Sequence, residues 1–308
     1  MKKLITSIAF ALMMLPLFAQ QELQMSQYLF NGMSWNPGYT GSNDYIRLNT
    51  MYRHQWTTLP GAPRSGSFSA DIPLKNDNMG IGFQVVSDHI GVSSLNEFFA
   101  NYAYQVRFSD KLALGLGMRA GVSLYSARFS ELLVWDANDA EFENNFRNVV
   151  IPKFGFGAYF HGEKFYVGAS VPTLWAYDSE YQFNANIEKS SWMRQHIYIS
   201  AAYICQLNKD IKMKPSVFTK YVKNAPFQGD LTLTCIYKDI VLLSAGYRTN
   251  SAVTAMLEVR PISALRIGYA FDLSTPNYLR MYGGTTHEIM LGYDIQKNTA
   301  KYKSPRYF

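Results

Sequence analysis

The sequence lacks several features that would define other protein classes. After its first nineteen residues it has no apolar run near the ~20 residues that a membrane-spanning helix requires, which excludes a helical membrane protein. Its only two cysteines, Cys205 and Cys235, fall on predicted strands that are separated by a third, so a disulfide between them is not expected. The net charge of +6 is scattered, with no basic block before the C-terminal tail, and gives no support for nucleic-acid binding.

Motifs for chemistry are also missing. The five histidines are isolated in sequence, and there is no His-Glu-x-x-His, Cys/His cluster, Gly-x-Ser-x-Gly or calcium-loop spacing. We therefore expect no catalytic residues, no cofactor and no metal.

What the sequence does contain begins with an export signal. Lys2 and Lys3 precede the apolar stretch from Leu4 to Leu17, and Ala19 before Gln20 suits a cleavage site. We predict that residues 1–19 are a signal peptide. No cysteine lies immediately after the cleavage site, so a lipid anchor is not expected, and the mature chain is periplasmic, secreted or in the outer membrane.

The most informative pattern is a strict period of two. Residues 112–124 read LALGLGMRAGVSL, with apolar side chains alternating with small or polar ones. A period of two is typical of a strand with two different faces. Similar runs recur about fourteen times between residues 44 and 295, more than a soluble β-sandwich would use but an ordinary number for a barrel. We predict an all-β fold, a transmembrane antiparallel β-barrel over residues 44–295.

The connections between the predicted strands alternate in length. Tight turns are expected at residues 75–78, 109–110, 161–163, 208–210, 238–239 and 261–263. The other connections are mostly longer, including residues 127–148, 172–191 and 275–286, with only Arg248 to Asn250 short. Bacterial barrels have short periplasmic turns and longer outer loops. The pattern therefore predicts an outer-membrane protein with both termini in the periplasm.

The same alternation assigns residues to faces. Arg119, Gly115 and Gly117 are predicted to face the lumen, the two glycines where other groups come close. Four charged residues share the parity of small residues and are expected to be lumen charges, either paired or solvated in the interior: Glu258, Arg260, Arg266 and Glu288.

The segments on either side of the predicted barrel differ from it in composition. Residues 20–43 are rich in aromatic residues, Asn and Gly, too apolar for a disordered tail and too broken for a strand. They either plug the lumen from the periplasmic side or extend a strand along the rim. Residues 296–308 form a basic tail on the periplasmic side, which would suit an acidic partner.

Several ordered motifs resemble one family, the PorP/SprF proteins of the type IX secretion system of Bacteroidota. They are the segments QYLFN (residues 27–31), NPGYTGS (36–42), YRHQW (52–56), GAP (61–63), MGIG (79–82), DHIG (88–91) and the ending SPRYF (304–308). The resemblance implies a non-enzymatic outer-membrane component. Such a component would dock a periplasmic secretion-system lipoprotein complex, or anchor or help to export a surface adhesin used in gliding. Its partners would be that lipoprotein complex and the secreted adhesin or the C-terminal domain of a cargo protein.

The motif residues are the candidate partner-binding positions: Asn36, Pro37, Tyr52, Arg53, Gln55, Trp56, Gly61, Ala62, Pro63, Arg306, Tyr307 and Phe308. Trp56 and Tyr52 share a parity and suit the aromatic belt at the membrane interface. Arg53 and Gln55 have the opposite parity, and they either form an inner hydrogen-bond network that holds the first outer loop or contact cargo directly.

One different function remains open. An outer-membrane channel for hydrophobic or small solutes, of the fatty-acid type, also combines fourteen strands with an N-terminal plug. It would need an apolar pocket inside the barrel, whereas the predicted lumen side is small and polar.

Overall fold

The computed structural model describes residues 25–74, 78–131, 146–176, 195–223 and 225–296. Its strands, in chain order, are β1 Tyr45–His54, β2 Arg64–Pro73, β3 Met79–Ile90, β4 Ser93–Ser109, β5 Leu112–Ala127, β6 Phe146–Gly162, β7 Phe165–Ala176, β8 His196–Tyr203, β9 Cys205–Gln206, β10 Ile211–Val222, β11 Gln228–Tyr237, β12 Val241–Arg248, β13 Ala252–Ile262, β14 Leu265–Ser274 and β15 Thr285–Gln296. One helix, α1 Asn277–Tyr282, lies between β14 and β15.

The strands close into a single antiparallel barrel. β8 and β9 are two parts of one strand, because both pair with β10 and only Ile204 separates them. Each remaining strand pairs with its sequence neighbours, and β1 pairs with β15 along its whole length, from Tyr45 opposite Gln296 to His54 opposite His287. The barrel therefore has fourteen strands and no free edge, which confirms the predicted fold class.

Most strand positions agree with the alternation pattern, but several strand ends differ. β6 begins at Phe146 and β7 ends at Ala176, so both strands extend into the predicted outer loops 127–148 and 172–191. The first strand ends at His54 rather than Trp56, because Trp56 takes a left-handed backbone conformation with φ of +52°. β3 and β4 are joined only by Gly91 and Val92, so the prediction of a single short connection at this end of the barrel is wrong. Gly91 has a φ of +57°, which glycine adopts without steric cost.

The two ends of the barrel still differ clearly. We call the end that bears the connections β1–β2, β5–β6, β7–β8 and β14–β15 the loop-side end, and the opposite one the turn-side end. Parts of the β5–β6 and β7–β8 connections lie outside the described residues.

The two faces of the wall carry different side chains. On β5, Arg119 is buried in the lumen, while Leu116 and Met118 are 50% and 52% exposed on the outside, as the alternation predicted. Around the outside runs a band of exposed apolar side chains that includes Phe83, Leu231, Leu243 and Ile289. Such a band suits contact with lipid.

Two smaller points complete the fold. Met213 on β10 lies opposite both Cys205 and Cys235, so a strand separates the two cysteines, and both thiols are free. Within the described ranges, no helix has both the length and the apolar character needed to cross a membrane.

Candidate functional site

The lumen is occupied by the segment that precedes β1. Residues 25–43 form three short 3-10 turns, Ser26–Phe30, Gly32–Ser34 and Pro37–Tyr39, and nearly all of their side chains are buried. We call residues 25–43 the plug. Of the two alternatives left open by the sequence, the structure has the lumen plug and not the strand extension along the rim.

The direction of the plug differs from the expectation. Ser26 lies beside Arg53, Asp272 and Glu288, which sit near the loop-side ends of their strands, whereas Asn43 leads into β1 at the turn-side end. From residue 25 onward the plug thus descends from the loop-side end to the turn-side end.

A cluster of charges holds the beginning of the plug. The carboxylate of Glu288 accepts hydrogen bonds from the backbone N–H groups of Ser26, at 2.6 Å, and Gln27, at 3.0 Å. The Ser26 hydroxyl donates to Asp272 at 2.6 Å. Arg53 pairs with Asp272 at 3.1 Å and with Glu288, so one guanidinium serves both carboxylates.

A second arginine extends this cluster. Arg248 pairs with Asp230 at 2.9 Å and reaches the Ser26 hydroxyl at 3.4 Å. We call Arg53, Asp230, Arg248, Asp272 and Glu288 the charged anchor. Glu288 was predicted from the sequence to be a lumen charge. Asp230, Arg248 and Asp272 were not predicted, although they share the parity of the inward-facing residues on β11, β12 and β14.

The middle of the plug packs against glycines of the wall. A side-chain carbon on Gly157 would lie 2.9 Å from the Pro37 ring, and one on Gly117 or Gly115 would overlap the backbone of Pro37 or Gly38. We call Gly115, Gly117 and Gly157 the glycine floor. The prediction that Gly115 and Gly117 face the lumen where other groups come close is confirmed.

Asn36 fixes the plug on this floor. Its side-chain oxygen accepts from the Gly38 N–H at 2.8 Å and caps the Pro37–Tyr39 turn, while its amide nitrogen donates to the Ala158 carbonyl at 2.9 Å. Proline at the first position of the turn has no N–H to leave unsatisfied. Asn36 and Pro37, which were candidate partner-binding residues, are therefore buried inside the barrel.

Wall residues also bind the plug backbone between these regions. Arg119 donates to the Met33 carbonyl at 2.9 Å and to the Gln84 side chain at 2.7 Å. Gln105 donates to the Thr40 carbonyl at 2.8 Å. At the turn-side end, the Tyr39 hydroxyl accepts from Arg47 at 2.6 Å.

The other predicted lumen charges are buried ion pairs near the turn-side end. Arg260 pairs with Glu258 at 2.7 Å, and Arg266 pairs with Asp294 at 3.1 Å. Of the two alternatives, pairing is present. Glu258 and Arg260 pair along one strand and Arg266 pairs across to the neighbouring strand, and Glu258 and Arg266 are buried rather than solvated.

The candidate residues of the first strand separate into two environments. Tyr52 is 48% exposed on the outer face, and Arg53 belongs to the charged anchor. Gln55 accepts from Arg53 at 3.4 Å, and its backbone N–H donates to the Pro63 carbonyl at 3.0 Å. Arg53 therefore holds the plug, and the link from Gln55 to the first loop is made by the backbone.

Trp56 and the Gly61-Ala62-Pro63 motif lie in the loop between β1 and β2. The Trp56 N–H donates to Thr286 at 3.2 Å, and Thr58 donates through its hydroxyl to the Tyr282 carbonyl at 2.6 Å. The Gly61 carbonyl accepts from the Gly91 N–H at 2.9 Å. This loop thus spans from the β3–β4 turn to α1, and we call residues 55–63 together with α1 the loop platform.

The remaining predictions fall outside these contacts. Arg306, Tyr307, Phe308, the signal peptide and the tail from residue 297 lie outside the described residues. No group of three or more His, Cys, Asp or Glu side chains suited to a metal ion occurs in the described part of the chain.

Comparison with known proteins identifies one family and one fold. A family model described as "Type IX secretion system membrane protein PorP/SprF" matches residues 17–293. No curated protein matches the chain in sequence.

Solved structures with a similar fold are outer-membrane proteins. The "CymD monoaromatic hydrocarbon channel" has a TM-score of 0.50 and 10% identity, with 88% of this chain and 93% of that chain covered. A mutant of the TodX monoaromatic hydrocarbon channel also has a TM-score of 0.50 and 10% identity, with coverages of 89% and 95%. The toluene transporter TodX of P. putida gives 0.49 and 10% identity, with coverages of 90% and 95%. At this identity the likeness is one of fold only.

Proposed function

Because this chain belongs to the PorP/SprF family of type IX secretion system membrane proteins, we propose that it is a plugged, non-enzymatic scaffold of the outer membrane. It docks the periplasmic lipoprotein complex of that system at its turn-side end and holds a surface adhesin, or the C-terminal domain of another cargo, at its loop-side end. The observation that carries the proposal is the plug, which is bound to the wall by buried hydrogen bonds with charged wall residues and occupies the lumen.

A locked plug favours a scaffold for a physical reason. A hydrogen bond to a charged group contributes about 1.5–3 kcal/mol, and the plug makes several such bonds with Glu288, Asp272 and Arg119. Since these contacts resist displacement of the plug, the useful surfaces are the two ends and the outer wall.

The loop platform is the proposed cargo surface. On α1, Tyr278, Met281 and Tyr282 are 66%, 72% and 67% exposed. Their spacing of three and four residues puts them on one side of the helix, and an exposed apolar cluster of this kind often marks a protein interface. The platform includes Trp56, Gly61, Ala62 and Pro63, which gives these candidate residues a role in shaping the surface.

Changing that surface tests the proposal. We expect Tyr278→Ser with Met281→Ser to reduce the cargo that copurifies with the barrel from native membranes, because the apolar contact area is lost. Phe227→Ser is the matched control, since Phe227 is also exposed, at 59%, in another loop-side connection. Equal cargo recovery from both variants would contradict the proposal.

The same purification tests the turn-side end. We propose that the tail 296–308, with Arg306, Tyr307 and Phe308, contacts the lipoprotein complex from the periplasmic side. Deletion of residues 301–308 should lower lipoprotein recovery while barrel levels stay normal. Full recovery of the lipoproteins would remove the tail from the interface.

A solute channel is the second candidate. The observation in its favour is the barrel likeness to two proteins described as monoaromatic hydrocarbon channels. Uptake of an aromatic solute into liposomes that contain the purified barrel distinguishes the two: a scaffold gives no uptake above empty liposomes, whereas a channel gives saturable uptake.

A further inference from the structure

Three of the five histidines meet in one row on the outer wall. His287 lies directly opposite His54, His54 opposite Arg64, and Arg64 opposite His89, across strands β15, β1, β2 and β3. Residues directly opposite each other share a face of the sheet, with Cβ atoms about 4.5–5.5 Å apart. We call these four residues the basic row.

The basic row faces outward. Tyr52, Phe68 and Ile289 share the parity of His54, Arg64 and His287 and are exposed large hydrophobic residues of the outer band. Arg64 and His89 are themselves exposed, and His54 and His287 are half-buried. The row is therefore open to whatever surrounds the barrel.

Its height along the wall is defined by the rows beneath it. Four residues below, the outward row consists of Leu291, Thr50, Phe68 and Val85, three of which are large apolar residues. At about 3.3 Å per residue, the basic row lies about 13 Å further along the strands. We expect this level to be the loop-side edge of the lipid-facing band, where polar headgroups begin.

Charge is segregated across the wall at this height. The carboxylates of Asp88, Asp272 and Glu288, from the same strand ends, point inward, where Ser65 and Arg53 are their partners. Among the residues that the structure describes, no carboxylate lies within ion-pair distance of Arg64. The positive charge of Arg64 on the outer face is therefore not neutralised by a direct ion pair with the carboxylates of the inner face.

The row is local to one side of the barrel. At the loop-side end of β12, β13 and β14, the outward row is apolar and consists of Tyr247, Val253 and Leu273. On β15, His287 is held in place by the Tyr269 hydroxyl at 2.6 Å and the Thr285 hydroxyl at 2.9 Å. One side of the barrel therefore carries a fixed group of cationic and hydrogen-bonding side chains where another side continues the apolar band.

We propose that the basic row binds the phosphate group of a phosphorylated glycolipid in the outer leaflet, of the lipid A type. The guanidinium of Arg64 suits bidentate contact with a phosphate, and the rings of His54 and His89 flank it on the neighbouring strands. The lipid chains would lie on the apolar rows below. This inference uses the outer-membrane location and not the secretion role.

Lipid binding by the purified full-length barrel tests the site. The probe is bisphosphorylated lipid A added in detergent, with bound lipid counted by native mass spectrometry. We expect Arg64→Gln with His89→Gln to lower the affinity at least about five-fold, the size of one basic side chain's attraction to an anionic lipid surface. Arg64→Lys, which keeps the charge, should retain most of the binding.

A turn-side variant provides the matched control. Lys209→Gln with Lys238→Gln removes two positive charges, at least as many as the loop-side variant loses, from exposed positions at the opposite end and should leave lipid A binding unchanged. Heat-dependent gel mobility verifies that each variant is a folded barrel. If the double variant does not fold, the lipid-binding measurement is made with the single variant His89→Gln.

Four results would overturn the proposal. They are undiminished binding by the loop-side variant, equal loss in the turn-side control, equally tight binding of dephosphorylated lipid A, and saturation of the row by inorganic phosphate alone. Secretion and cargo recovery are not read in this experiment, so its failure is distinguishable from failure of the scaffold role.

Discussion

The plug is held in two physically different ways at its two halves. At the loop-side end, the charged anchor binds Ser26 and Gln27 through full charges and hydrogen bonds. On the glycine floor, Asn36 to Gly38 approach the wall backbone so closely that no side chain fits between them. The first attachment is polar and specific, and the second depends on shape.

The two attachments should respond differently to substitution. Removing one member of an ion cluster leaves an uncompensated buried charge, whereas adding a methyl group to a close contact causes overpacking. The comparison therefore predicts which changes release the plug and how strongly each destabilises the barrel.

The largest effect is expected for Arg53→Ala. Two carboxylates, Asp272 and Glu288, would lose a shared cation while still buried, at a cost of about 3–5 kcal/mol. The free energy of unfolding, from urea titration in detergent micelles, measures this loss, and single-channel recording in planar bilayers shows whether the freed plug lets ions pass.

Arg64→Ala is the matched control for this experiment. Arg64 lies opposite His54 on the next strand at nearly the same height, but it faces outward and is exposed. Its replacement should change the unfolding free energy by no more than about 0.5 kcal/mol. Similar losses for both arginines would contradict the assignment of Arg53 to a buried anchor.

A smaller effect is expected for Gly157→Val. The new side chain would push into the Pro37 ring and the Asn36 amide, and overpacking of this kind costs about 1–3 kcal/mol. Gly66→Val isolates the plug contact, because Gly66 also lies in a strand but has open space where its side chain would be. The unfolding midpoint of each variant is the measurement. Equal midpoints for the two variants would mean that the floor does not support the plug.

Local patterns predicted much of this architecture from the sequence. The inward position of Arg119 and the small residues at Gly115 and Gly117 follow from a period of two, which is a property of one strand. The separation of Cys205 from Cys235 follows from strand order alone.

Features that depend on register could not be predicted in this way. His54 and His287 are 233 positions apart, and they meet only because the first and last strands close the barrel with one particular alignment. Trp56 leaves the strand because its backbone turns left-handed, which no alternation signals. The descent of the plug from Ser26 to Asn43 depends on carboxylates from β14 and β15, far away in the chain.

The smallest effect is expected where the contact is exposed, in the seam between the first loop and α1. Thr58→Ala removes the hydrogen bond from the Thr58 hydroxyl to the Tyr282 carbonyl, and a single bond of this kind contributes about 0.5–1.5 kcal/mol. The backbone bonds from Thr57 to Thr285 and from Thr58 to Gly283 remain. We expect faster amide exchange in residues 277–283 with little change in the global unfolding free energy, because exposed segments open locally. Thr58→Ser keeps the hydroxyl and should exchange like the parent protein. If Thr58→Ala instead lowered global stability as much as Gly157→Val does, the loop platform would belong to the same cooperative unit as the plug, and the distinction between inner attachments and outer surface would have to be abandoned.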